Sequence, residues 1–280
     1  MQKKISLIGA IVIAASCALY SHFDNASAYT ASTDTAYNQK DIKAKKQAKA
    51  TYKEKIRYEK TETTRRRNFN EAKGQMPAIF RQLNEPKTIY CGCRIDFKKN
   101  WYYPDLESCG YVIYTDEKRA KRIEAEHIMP AHEFGSKRQC WNNGGRKNCA
   151  SSDDEFALME GDLHNLYPSV GEVNAKRSNF KFSESVNNKK HIFGPKCDMF
   201  IDSKRQRAQI PERARGIVAR AYLYMASKYS IKLDEEHINL FNQWNKRYLP
   251  DSNECKWNEL VTKIQGNDNP FITKKCKAAK

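Results

Sequence analysis

The sequence predicts an α+β fold: a single disulfide-stapled domain with helices gathered toward its C-terminal end. Three observations carry this expectation. A β-branched and aromatic run, GYVIYT at residues 110–115, reads as a strand. Helix-start signals recur downstream at Ser169, Pro211 and Asp234. Once Cys17 is set aside, the cysteines are even in number and all lie between Cys91 and Cys276. With 280 residues, 40% of them hydrophobic, the chain has enough apolar material for a real core.

Residues 1–28 have the pattern of a secretory signal. Lys3 and Lys4 form a basic start, Ile5 to Ala15 an apolar stretch, and Ala26-Ser27-Ala28 a small-residue cleavage site. The apolar stretch is shorter than the roughly 20 residues a membrane span needs. Ala15-Ser16-Cys17 offers a lipoprotein alternative, without the leucine such sites usually carry. Removing Lys3, Lys4 and Asp24 with the leader takes the formal charge from +17 to +16.

Export would put the remaining cysteines in an oxidising compartment. Cys91, Cys93, Cys109, Cys140, Cys149, Cys197, Cys255 and Cys276 are therefore expected to form disulfides. Cys140 and Cys149 bracket a Gly-rich loop and are expected to staple it, whereas Cys91 and Cys93 sit so close that each should pair elsewhere. A zinc site on Cys91-Gly92-Cys93 is disfavoured by the one-residue spacing and the lack of a matching second pair.

Residues 29–67 are polar, lysine-rich and end in Arg65-Arg66-Arg67, a composition that suits a solvated basic arm or linker. Apolar residues become regular from Phe69, so the folded domain is placed at 68–280. Within it, Arg122 to Met129 fits a strand or a helix. Ser169 and Glu172 have capping-box spacing, which predicts a helix from about Val170 to Ser178 with Asn174, Arg177 and Ser178 on one face. Pro211 can occupy the first position of a helix striped by Ile217, Ala221, Tyr224 and Met225. A further helix from Asp234 is expected to bury Ile238, Phe241 and Trp244.

A formal charge of +17 favours polyanionic partners, although many exported proteins are basic without binding anything specific. Against that background EAEHIMP, ending at Pro130, concentrates Glu124, Glu126 and His127 in four residues. A lone histidine is usually structural. What raises this one is a second run, EGDLHNLYPSVGEVNAKRSN, dense in groups that bind cations or phosphate.

Together EAEHIMPAHEFG, RQCWNNGGRKNC and EGDLHNLYPSVGEVNAKRSN resemble the bacterial endonuclease I family, periplasmic or secreted nucleases that cut DNA and often RNA with little sequence preference. The resemblance continues through PERARGIVARAYLYM and QWNKRYLP to QGNDNPF, and so covers roughly residues 69–272. It implies a ββα-metal core with His127 as general base, Glu126 and Asn174 as ligands for Mg²⁺ or another divalent cation, and Arg146 as a phosphate contact. Glu160 falls in a matching acidic position and joins the catalytic set. The basic arm is longer than the family leads one to expect, so no role is carried over to it.

The chemistry is coherent on its own terms. A phosphodiester repels nucleophiles, so hydrolysis needs charge neutralisation, an activated water and help for the departing oxygen. Neutral imidazole can take the water's proton. One carboxylate, one amide oxygen and waters suit a hard ion that stabilises the leaving group, and an arginine can fork onto phosphate. Lys137, Arg138, Lys147, Lys176 and Arg177 are the candidate groove cations; contacts to phosphate and sugar would carry no base identity. The expected partners are DNA and RNA, with no membrane span, and the expected state is a monomer. One difficulty is local: neighbours in a regular strand face opposite ways, so Glu126 and His127 share a site only if the strand bends or ends there.

Two other classes compete. An exported protein that binds nucleic acid without cutting it would keep the basic surface and have no need of Glu126, His127 and Asn174 together. A zinc protease, suggested by His127, His132 and Glu133, fails because the His-Glu pair at 132–133 lacks the histidine three residues later that a zincin helix requires.

Overall fold

The computed structural model describes residues 68–278 apart from Asn100 and Asn188. The expected leader (1–28) and basic arm (29–67) lie outside the described residues. The first helix, α1 (Phe69–Phe80), begins where apolar residues become regular; the Asn68 side chain caps it by accepting from the Glu71 amide, and Ala72, Met76, Ile79 and Phe80 form its buried face.

Two strands, β1 (Arg94–Lys98) and β2 (Trp101–Asp105), form an antiparallel hairpin. A short helix, α2 (Glu117–Ala120), leads into β3 (Ile123–His127), which settles the ambiguity over residues 122–129 as a strand. The helices α3 (Ala131–Gly135), α4 (Gln139–Asn142), α5 (Gly145–Ser152) and α6 (Asp154–Glu160) then return the chain to β4 (Leu166–Val170). Strands β3 and β4 pair antiparallel, Ile123 opposite Val170 and His127 opposite Leu166, and α7 (Gly171–Arg177) follows at once. Two strands and a helix thus make a ββα unit. Gly171 is required at its corner, because a Cβ there would stand 2.6 Å from the Arg119 carbonyl and 3.0 Å from the Glu124 carboxylate.

A small third sheet, in the order β5 (Lys181–Phe182), β7 (Arg207–Gln209), β6 (Phe200–Asp202), precedes the helical part. That part comprises α8 (Glu212–Tyr229), α9 (Glu235–Arg247), α10 (Ser252–Gln265) and α11 (Pro270–Ala278). The core runs continuously from the ββα unit to these helices, with Phe80, Phe182, Tyr222, Phe241 and Trp244 among its buried large side chains. The α+β expectation holds. No described helix is long and apolar enough to cross a membrane.

All eight cysteines named above are paired: Cys91–Cys197, Cys93–Cys109, Cys140–Cys149 and Cys255–Cys276. The staple across the Gly-rich loop is present, and Cys91 and Cys93 pair elsewhere.

Several local expectations are corrected. Residues 110–115 form no strand. The Tyr111 and Val112 amides reach separate carbonyls, those of Leu106 and Phe193, and the Tyr114, Thr115 and Asp116 amides converge on the Glu172 carboxylate, leaving no ladder to build. For the same reason the capping box is not formed. The helix exists, but Val170 is its N-cap without a side-chain bond, and Glu172 serves residues far away in sequence instead of the amide of Ser169. Pro211 is the N-cap of α8 and not its first residue. The helix expected from Asp234 is present as α9, with Asp234 as its N-cap, but the buried stripe is His237, Phe241 and Trp244, while Ile238 is 37% exposed.

Candidate active site

Strand β3 ends at His127, and this resolves the difficulty of its neighbouring side chains. Arg177, at the end of α7, donates to the carbonyls of both His127 (2.9 Å) and Ile128; the Ile128 amide still reaches the Asn165 carbonyl at 3.0 Å, and the chain bends over residues 128–129. Glu126 and His127, the last two residues of β3, both line one cleft, of about 870 Å³, together with Asn174, Arg146 and Arg177.

Glu126 is 1% exposed. Its Oε1 accepts the Tyr90 hydroxyl at 2.5 Å and faces Arg177 Nη1 at 2.9 Å. Burial pushes its carboxyl up to about 7, with Arg177 and the Tyr90 hydrogen bond pulling the other way. Both contacts fall on the same oxygen. Among the described residues Oε2 has no hydrogen-bond partner, and the side chain lines the cleft. Asn174 is similar: its Nδ2 donates to Glu124 Oε2 at 2.9 Å, which orients the amide and leaves Oδ1 without a partner among the described residues. Glu124 is itself held by Arg119 and Arg122. One carboxylate oxygen and one amide oxygen in a shared cleft fit a hard divalent cation that keeps part of its water shell. Asp234, Glu236 and His237 also cluster, but Asp234 is occupied as the helix cap and as the partner of Lys181 at 2.7 Å.

His127 Nε2 lies 2.8 Å from the Glu160 carbonyl oxygen. A carbonyl can only accept, so Nε2 carries the hydrogen and Nδ1 is the basic nitrogen. Burial, reinforced by the Arg146 and Arg177 charges and opposed by the Glu160 carbonyl, lowers the imidazole to about 3 and keeps it neutral at ordinary pH. Arg146 Nε bonds Glu160 Oε1 at 2.6 Å, and its guanidinium lies 5.3 Å from the Phe69 ring centroid. Phe69 in turn packs on His127, ring centroids 4.7 Å apart. Glu160 therefore acts on the site twice, positioning the histidine through its backbone and the arginine through its carboxylate.

The expected groove cations fare less well. Arg177 is 1% exposed and committed to Glu126 and two carbonyls, so it shapes the cleft floor and does not present a surface charge. Arg138 is committed to Asp153, the cap of α6, and to Glu155. Lys137 and Lys147 are exposed away from the cleft lining, and Lys176 lies over the Tyr114 ring at 4.9 Å. The cations that do line the cleft beside Arg146 and Arg177 are Lys73, Arg119 and Arg122. Arg119 and Arg122 flank EAEH closely enough for sequence reading to have found them. Phe69 and Tyr90 reach the site from far upstream, and no local pattern marks them.

A family model described as endonuclease I matches residues 16–276. An extracellular deoxyribonuclease of Aeromonas hydrophila is 47% identical over 209 residues, covering 74% of this chain and 89% of that protein. A periplasmic deoxyribonuclease of Aeromonas hydrophila is 50% identical over 194 residues, covering 69% of this chain and 81% of that protein. Endonuclease-1 of Buchnera aphidicola subsp. Acyrthosiphon pisum (strain APS) is 44% identical over 209 residues, covering 75% and 82%.

Proposed function

Starting from the fact that the chain belongs to the endonuclease I family, we propose that it is an exported, metal-dependent endonuclease that hydrolyses DNA, and RNA as well, with little sequence specificity. In this reading residues 1–28 are a leader, 29–67 a basic arm and 68–280 the nuclease domain, acting as a monomer in the periplasm or outside the cell.

The observation that carries the reading is that Glu126 and Asn174, each with one oxygen without a partner among the described residues, line one cleft with a histidine whose tautomer a carbonyl fixes. Glu126 and Asn174 would hold a divalent cation, Mg²⁺ by its preference for oxygen. When bound, the ion supplies Lewis-acid stabilisation of negative charge on the leaving 3′ oxygen. His127 takes the proton of the attacking water on Nδ1. Its low basicity in the free protein owes part of its value to Arg146, and a phosphate seated against that arginine offsets the effect, so the imidazole becomes a better base as substrate binds. Arg146 directs its remaining donors to phosphate while Glu160 holds Nε. Tyr90 and Arg177 orient Glu126 from behind.

The test is conversion of supercoiled plasmid by oxidised protein with Mg²⁺, with EDTA, and by His127→Ala with Mg²⁺, alongside a labelled RNA. Metal-dependent nicking lost in the variant, with DNA binding kept, is the expected result. Plasmid that is retarded but intact under every condition would assign the chain to the non-cutting class, and RNA left whole while DNA is cut would remove RNA from the proposal.

A further inference from the structure

Strand β2 carries two large aromatic side chains that the interior does not use. Trp101 is 70% exposed and Tyr103 40% exposed, while Tyr102 between them is half-buried, stacked on Phe97 at 6.3 Å and bonded to Met76 Sδ at 3.9 Å. The alternation follows from strand geometry: residues 101 and 103 share one face and 102 takes the other. An isolated exposed apolar residue needs no explanation. Here, though, Trp101, Tyr102 and Tyr103 all line the cleft that holds Glu126 and His127, Trp101 and Tyr103 as its exposed aromatic residues, and the cations Lys73, Arg119 and Arg122 line it too. Arg119 and Arg122 together face the single carboxylate of Glu124, so positive charge is in excess on this wall.

We propose that Trp101 and Tyr103 form a base-stacking slot at the mouth of the cleft that takes an unpaired nucleobase of a DNA or RNA strand, so that the protein favours single-stranded over duplex substrate. The proposal rests on the nuclease reading above and names the substrate form that the same cleft selects. Two residue rises set the Cα atoms of residues 101 and 103 about 6.8 Å apart along the strand. That is twice the roughly 3.4 Å separating stacked bases, a spacing at which rings standing off the sheet would take one base between them. In a duplex the base faces are already covered by their neighbours, whereas an unpaired base offers a face to any aromatic ring, whatever its identity. Lys98 lies 5.8 Å from the Tyr103 ring centroid. A base entering the slot replaces that cation–π contact with stacking and frees the ammonium for the strand's own phosphate. The slot therefore reads strandedness and remains indifferent to sequence.

Tryptophan emission can report on the slot directly. Trp244 and Trp257 are 2% exposed and Trp141 is half-buried, so Trp101 is the most exposed of the four. With EDTA present to prevent cutting, single-stranded oligothymidylate of about 12 nucleotides, within the span single-strand grooves cover, is titrated into the full-length protein, and oligouridylate of equal length into a second sample. The expected result is saturable quenching of the exposed tryptophan. By anisotropy, Trp101→Ala and Tyr103→Ala should each weaken single-strand binding about 10-fold, and at least severalfold more than they weaken duplex binding. Trp101→Phe, which keeps a ring, should recover most of the loss.

Equal loss for both strand forms, no loss, or an emission change that follows protein concentration without oligonucleotide would overturn the slot; the last would mark a self-association face. Failure here is separable from failure of the nuclease reading. Plasmid nicking without Trp101-dependent binding removes only the slot, and Trp101-dependent binding without nicking removes only the catalysis.

Discussion

Glu126 and Glu254 are both buried against an arginine, and the two pairs are built differently. Glu254 receives Arg220 through two parallel bonds of 2.5 Å, one to each carboxylate oxygen, while the third arm of that arginine holds the Tyr248 carbonyl at 2.6 Å. Asp162, just before β4 and packed against the C-terminal helices, has both oxygens occupied as well: it accepts from Tyr224, Tyr229, Gln265 and the His164 amide and faces Lys228. Glu126 receives Arg177 and Tyr90 on one oxygen and leaves the other toward the cleft. A buried acid with both oxygens occupied holds parts of the fold together. A buried acid with one oxygen unused is costly unless a further ligand completes it. The contrast separates support from site without reference to any relative.

Substitution tests the contrast most severely. Replacing His127 with Ala is expected to lower plasmid nicking by roughly 10³-fold or more, within the range of general-base losses, with the thermal midpoint little changed. Glu126→Gln should lose activity on a similar scale. Glu254→Ala should do the reverse: an unpaired Arg220 in the interior costs about 3–5 kcal/mol of stability, read from urea unfolding, while nicking per folded molecule stays near that of the parent. If Glu254→Ala abolished nicking in fully folded protein, the division between the two pairs would fail.

The sequence made the contents of the cleft legible more readily than its construction. Glu126, His127 and Asn174 were within reach because their chemistry is unusual for their surroundings, and the Cys140–Cys149 staple because its ends lie nine residues apart. The helix start at Asp234 was legible because the signal that begins a helix is local. Glu172 was misread for a matching reason. Its spacing from Ser169 satisfies a local rule, yet amides about 56 residues upstream compete for the same carboxylate and win. Arg177 looked like a groove cation because a sequence shows charge and not depth; its burial depends on Glu126 and on two carbonyls at the end of β3. Phe69 and Tyr90 are contributed by tertiary packing alone.

Cation binding offers a finer test, independent of cleavage. Mg²⁺ at about 100 times its dissociation constant should raise stability by about 2.7 kcal/mol, seen as a higher melting temperature. Glu126→Gln and Asn174→Ala should lose most of that increment. Glu254→Gln should keep it, because neither oxygen of Glu254 faces the cleft. An increment retained in both cleft variants would place the ion elsewhere.

The smallest expected effect lies in the pH dependence of the two kinds of acid, which should have opposite signs. Burial works to raise the Asp162 carboxyl, but Lys228, His164 and the hydrogen bonds from Gln265 and Tyr229 outweigh it and leave it below the usual range. An acid depressed in the folded state contributes stability that is fully present above its unfolded value, about 3.9, and is lost as pH falls through the lower folded value. Glu126 is raised to about 7. In metal-free protein the folded state therefore holds its proton longer than the unfolded chain does, and stability declines as pH rises from about 4.3 toward 7. Asp162→Asn should accordingly cost about 2 kcal/mol at pH 7 and distinctly less at pH 3, measured by urea unfolding at both. Adding Mg²⁺ should remove the decline between pH 5 and 7 in the parent, because the ion binds the ionised carboxylate and competes with its proton. A decline that persisted unchanged with Mg²⁺ would mean that Glu126 titrates without facing the ion, and its free oxygen would then need another explanation.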